Sequence, residues 1–98
     1  MAARVVSPDL LADAKRANKI TWEDVDTDAE LISILRQGMA YIDSKAGVNM
    51  DYDVDDLAKS LLMDYSRYAR AGARNQFEND YISDITTLSL SMEEPEED

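Results

Sequence analysis

Apolar residues recur at intervals of three and four along most of this chain, the period of a helix with one buried face. Leu31, Leu35, Met39 and Ile42 form one such stripe, widened by Ile34 and Tyr41. Val54, Leu57, Ala58, Leu61, Tyr65, Tyr68 and Ala69 form a second, and Phe77, Tyr81, Ile85 and Leu88 a third. Only the stretch Ile85-Thr-Thr-Leu88-Ser-Leu90-Ser-Met92 drifts toward alternation, and there the last helix either extends or frays. The pattern predicts an all-α fold.

End signals divide the chain into four helices. Ser7-Pro8-Asp9 combines a capping hydroxyl, a proline whose missing N–H costs nothing in a first turn, and an acid facing the positive helix end. A short helix is expected from there to about Asn18, with Leu10, Leu11, Ala14 and Ala17 laid against the rest. Thr27 and Glu30 have the spacing of a capping box and predict the start of a long second helix, which Gly47 ends. The third helix is read from Val54, behind Asp53, Asp55 and Asp56, and is closed by Gly72. Asn75, three residues before Glu78, predicts the cap of the fourth. The expected architecture is a short first helix, a long second helix, and a hairpin of the third and fourth crossed by the second. One domain is expected over residues 1–92, with an acidic, disordered tail over 93–98, where five of six residues are acids.

With 98 residues the chain buries only about two-thirds of its unfolded surface, so its core is thin and association with other subunits matters to stability. A net charge of -11 excludes the basic footprint of a nucleic-acid binder. There is no cysteine for a disulfide or a thiolate site. There is no histidine, which removes the commonest general base and metal ligand. Wholly apolar runs such as Met-Ala-Tyr-Ile at 39–42 are far shorter than the roughly 20 residues of a membrane span. The opening MAARVVSPDLL lacks the sustained apolar segment of a signal peptide, so the chain is expected to be soluble and to stay where it is made.

Two acidic runs, Asp24 to Asp28 and Asp51 to Asp55, place carboxylates at positions one, three and five of a calcium loop. Each lacks the glycine at position six and the glutamate at twelve, where Ala29 and Leu35 or Asp56 and Leu62 stand instead. The acids read better as first-turn residues. With three scattered glycines there is no phosphate-binding loop, and no hydroxyl has a histidine to activate it. No catalytic activity, metal or cofactor is expected.

Arg67, Arg70 and Arg74 are spaced to form a small basic stripe on one side of a continuous helix, able to meet acids of another subunit or to pair locally. Trp22 and five tyrosines carry apolar bodies with polar tips, as interface residues do. Trp22, Tyr65, Tyr68, Phe77 and Tyr81 also have the positions to fill a thin core. Candidate interface residues are therefore Trp22, Tyr41, Arg67, Arg70 and Arg74.

Four segments carry a likeness to a known family: ITWEDVDTDAEL (20–31), RQGMAYIDSKAG (36–47), DLAKSLLMDYSRYAR (56–70) and FENDYISDITTL (77–88). In their order and spacing they resemble the small head-tail connector, or portal adaptor, proteins of tailed bacteriophages and prophages. The leucine-rich helix ending in Tyr-x-x-Tyr, followed by Phe-x-x-x-Tyr, is the most telling piece. The resemblance implies a mostly helical structural virion protein that joins identical copies in a ring, typically of twelve, beneath the portal protein. Made in the host bacterial cytoplasm, such a ring sits at the head-tail interface, extends the DNA channel and receives the next head-completion (stopper) or tail protein. DNA passes through it without sequence-specific binding, and no membrane is involved. An acidic wall suits a conduit in which phosphates must slide. A rival reading is an acidic DNA-mimic inhibitor occupying a basic groove of a host nuclease or regulator.

Overall fold

The structure is a computed structural model that describes residues 5–47, 49–54 and 57–91. Four helices follow one another: α1 (Pro8–Ala17), α2 (Val25–Ala46), α3 (Leu57–Arg70) and α4 (Arg74–Ser91). The described residues contain no strand, so the fold is all-α. Acidic residues 93–98 lie outside the described residues.

The first helix begins where its sequence signals it. The Ser7 hydroxyl accepts from the Leu10 amide at 3.1 Å and itself donates to Asp53 Oδ1 at 2.6 Å, so one cap also anchors the loop before α3. The helix ends in a reversal in which the Lys19 amide donates to the Arg16 carbonyl and the Ile20 amide to the Lys15 carbonyl. This Schellman pairing puts Lys19 at φ 58, in the left-handed region where a side chain is strained. Ile20, just beyond, is buried.

The expected capping box is not the start of α2. The helix starts at Val25, capped by Asp24, whose carboxylate receives the Thr27 hydroxyl at 2.7 Å and the Asp26 amide at 3.4 Å. Thr27 thus supports a cap three residues upstream rather than acting as one, because the Asp24 carboxylate takes both the Asp26 amide and the Thr27 hydroxyl. Leu31, Leu35, Met39 and Ile42 are all buried, and Gly47 closes the helix at φ 82.

Two further boundaries differ from the spacing. Val54 precedes α3 in a turn and is half-exposed, so the third helix starts at Leu57 and Asp55 and Asp56 are not described. Asn75 lies inside the first turn of α4, which opens on Ala73, whose carbonyl accepts from the Gln76 and Phe77 amides. Between the two helices the Gly72 amide bonds the Ala69 carbonyl and the Ala73 amide the Tyr68 carbonyl, a second Schellman reversal with glycine at φ 74. The last helix extends through Ser91, with a kink at Tyr81 (φ −115, ψ 18).

The third helix is the hub. Antiparallel to it, α4 forms the predicted hairpin, α2 crosses both, and α1 lies on α2 and α3. The crossing of α2 and α3 is close because position 38 has no side chain: a Cβ on Gly38 would stand 2.7 Å from Leu62 Cδ1 and from Tyr65 Cδ1. Ser66, fully buried, donates to the Met63 carbonyl and accepts from Asn18 Nδ2 at 3.0 Å, which fixes the end of α1 against α3. Lys15 pairs with Asp28 at 3.0 Å and Lys59 with Asp13 at 2.6 Å, the latter acid shared with Arg16.

The loop between α2 and α3 is organised by one acid. Asp43 Oδ1 accepts the Tyr52 hydroxyl at 2.7 Å and the Met50 amide at 3.0 Å, drawing Tyr52 into the core. The periodicity of the helices gave no sign of this loop residue. Trp22, by contrast, has a position to fill the core and is 50% exposed, because it stands in the α1–α2 connection beyond the reach of the helical stripes.

Two substitutions test these contacts by urea denaturation. Gly38→Ala is expected to lower stability by about 1–2 kcal/mol, overpacking against Leu62 and Tyr65 outweighing the roughly 1 kcal/mol that alanine gains over glycine in a helix. Lys19→Gly is expected to raise it by about 0.5–1 kcal/mol through relief at the left-handed position. The opposite sign in either case contradicts the described backbone.

Candidate interaction surface

Five aromatic rings lock α2, α3 and α4 together. Phe77 of α4 is buried at the centre, with ring centroids 6.1 Å from Tyr41, 5.4 Å from Tyr65, 5.6 Å from Tyr68 and 4.8 Å from Tyr81. The first three meet it edge-on and Tyr81 stacks on it, geometries that satisfy the ring quadrupoles. The Tyr81 kink falls within this stack, in a helix with neither proline nor glycine. The rings put polar tips at two places on the surface.

On the α2 side, Tyr41, Tyr65, Arg74, Asn75, Phe77 and Glu78 line a cavity of about 290 Å³. Arg74 crosses its mouth, donating from Nη2 to Gln37 Oε1 at 2.8 Å and from Nε to the Tyr65 hydroxyl at 3.2 Å. Lys45 lies 5.5 Å from the centre of the Tyr41 ring and pairs with Glu78 at 3.2 Å. Among the described residues the Tyr41 hydroxyl oxygen is buried without a hydrogen-bond partner, and burial, then the nearby Glu78 charge, pushes its pKa up.

On the outer side, Arg67, Tyr68, Ala71 and Ala73 line a shallower depression of about 330 Å³. The Tyr68 hydroxyl donates to Asp80 Oδ2 at 2.7 Å, which with partial desolvation pushes its pKa up to about 12. The same bond, with a second from Gln76 Nε2 at 3.1 Å, holds Asp80 below the usual aspartate value. Desolvation first, and then Asp64, raises Tyr81 as well.

The five candidate residues therefore do not form one site. Arg67, Arg70 and Arg74 are divided by the Gly72 reversal: Arg70 ends α3 and Arg74 begins α4, so no continuous helix aligns them. Arg74 joins Tyr41 at the inner cavity, while Arg67 pairs with Asp64 at 2.7 Å beside the outer depression. Arg70 is exposed. Trp22 stands apart, its indole N–H 3.5 Å from the Thr27 hydroxyl. Large exposed apolar side chains occur near it at Val25 and, far along α4, at Ile82 and Leu90.

Of the acids that resembled calcium loops, Asp24, Asp28 and Asp51 have structural partners, and Asp55 lies outside the described residues. Asp24 caps α2, and the Thr27 hydroxyl, its main contact, lowers its pKa; Asp28 pairs with Lys15, whose pKa that bond raises; Asp51 accepts the Asp53 amide at 3.1 Å. Among the described residues no three acids, histidines or cysteines gather as a metal site would need, and no helix is long and apolar enough to cross a membrane. Comparison with family models, with curated proteins and with solved structures finds no match for the chain.

Two outcomes check the ring cluster. Phe77→Ala is expected to cost about 3–5 kcal/mol in urea denaturation. In an ultraviolet titration one tyrosine is expected to ionise near 12, and Tyr68→Phe removes that step. Because the folded pKa lies above the ordinary 10.0, this bond's contribution to stability is complete below pH 10 and is lost as pH rises toward 12. Asp80 gives the mirror case, complete above the ordinary 3.8 and lost as pH falls through its lowered value.

Proposed function

We propose that the chain is a structural subunit, a head-tail connector that assembles as a homo-oligomeric ring against the portal of a tailed phage. The observation that carries this reading is the way the segments of likeness map onto the fold. DLAKSLLMDYSRYAR covers α3 and FENDYISDITTL the body of α4, and their shared Tyr-x-x-Tyr and Phe-x-x-x-Tyr residues are the rings that clamp the hairpin. The most distinctive sequence feature is thus the one that holds the helices in place. Four of the exposed apolar residues, Trp22, Val25, Ile82 and Leu90, suit contacts between neighbouring subunits or with the portal and the next head-completion protein.

Charge fits the same role. A net charge of -11 repels a passing duplex rather than holding it, which is what a channel extension requires. An inhibitor mimicking DNA would instead array its carboxylates in rows toward a basic partner, whereas Asp13, Asp24, Asp28, Asp43 and Asp80 are turned to caps, ion pairs and tyrosines of the chain itself.

The test is co-assembly with the portal protein from the same genome, imaged by electron microscopy with and without this chain. A ring of added density beneath the portal is expected. A bare portal over a range of concentration and salt, together with displacement of DNA from a basic host enzyme, overturns the proposal in favour of the inhibitor.

A further inference from the structure

We infer that the acidic segment 92–98 of one copy docks on the end of α3 of a neighbouring copy, over the depression between Arg67, Tyr68, Ala71 and Ala73. The inference rests on the self-associating subunit proposed above and names the contact that joins neighbours.

The receiving surface is cationic and unsatisfied. Arg70, the last residue of α3, is exposed, and its side chain has no hydrogen-bond or ion-pair partner among the described residues. The Lys19 side chain is in the same position, and the Asn18 to Ser66 hydrogen bond places it beside the turn of α3 that leads to Arg70. Among the described residues Arg67 is held only by Asp64, in a largely exposed pair of the kind that contributes little and exchanges readily. Of the acids nearby, Asp64 pairs with Arg67, while Asp80 accepts hydrogen bonds from Tyr68 and Gln76 and keeps its charge. Negative partial charge at the end of α3 is offset by the positive start of α4, across the Gly72 reversal. Beside Arg67 the depression has an apolar floor formed by Tyr68, Ala71 and Ala73.

The segment Met-Glu-Glu-Pro-Glu-Glu-Asp has the complementary chemistry, with one apolar anchor and five carboxylates. A methionine fills irregular apolar depressions, and carboxylates form their strongest hydrogen bonds with guanidinium groups. Pro95 lacks the N–H that a helix interior needs.

Reach assigns the contact to a neighbour. The helix α4 has 18 residues and carries the chain about 27 Å away from the Gly72 end. Residues 92–98, fully extended, span at most about 25 Å, so only the last of them approaches its own Arg70. The donor and acceptor surfaces therefore lie at opposite ends of one molecule. Such a contact is heterologous: each copy gives one end and receives at the other, and the chain of contacts closes into a ring or continues as a filament.

A fluorescent peptide spanning residues 89–98, titrated with the full chain at low salt and followed by anisotropy, tests the docking directly. Saturable binding is expected, weakened at least about tenfold by the pair Arg67→Glu and Arg70→Glu and abolished at high salt. A peptide with Met92→Ser is expected to bind more weakly. Absence of binding, or binding that ignores the arginine substitutions in a protein of unchanged circular dichroism, overturns the inference. A full chain with Glu93→Lys, Glu94→Lys, Glu96→Lys and Glu97→Lys separates this from the ring proposal. Rings beneath the portal that persist with those four changes overturn the docking and leave the ring standing. Peptide binding by a wild-type chain that forms no ring supports the docking and removes the ring.

Discussion

Everything in this fold hangs on how closely α2 approaches α3. At Gly38 the two backbones meet with Leu62 and Tyr65 pressed where a side chain would otherwise stand. That proximity brings Tyr41 within stacking distance of Tyr65, at 6.1 Å, and leaves a slot in which Phe77 of the third partner can sit against both. Among the described residues a thin core of 18 buried apolar side chains has few large groups to spare, so the rings serve as packing and as alignment at once. The crossing helix closes on that one absent methyl group, and the inner cavity opens beside Tyr65 at the same crossing.

Electrostatics then shapes how an acidic chain stays folded. Part of its carboxylate charge is turned to work inside the fold. Asp24 takes a helix cap, Asp43 gathers a loop, Asp13 bridges two cations and Asp80 holds a tyrosine, each converting a charge into local order. The cations left over are few, and two of them, Lys19 and Arg70, stand where helices end.

The periodic part of the molecule was legible from spacing because a buried face imposes itself on every turn of a helix. Leu31, Leu35, Met39 and Ile42, or Phe77, Ile85 and Leu88, could hardly be placed elsewhere. Boundaries were less legible: Asp24, Thr27 and Glu30 all carry capping chemistry, and geometry decides among them only after the chain has turned. Tyr52 escaped notice since nothing in a loop repeats, and its burial depends on an acid nine residues earlier. The arginines misled for a related reason, as their spacing is helical but Gly72 interrupts the helix between them. Of the candidate interface residues, only Tyr41 and Arg74 share a cavity, a grouping set by the tertiary crossing and absent from any local pattern.

The single tryptophan occupies an unusual optical position. Trp22 is half in water while the emitters that would normally feed it, Tyr41, Tyr65, Tyr68 and Tyr81, are gathered around Phe77. Half hydrated, the indole keeps only part of the blue shift that burial gives, so folding moves its emission less than it would move that of a buried tryptophan. A partner placed over the α1–α2 connection would complete that shift, which makes the indole a reporter of company as much as of folding.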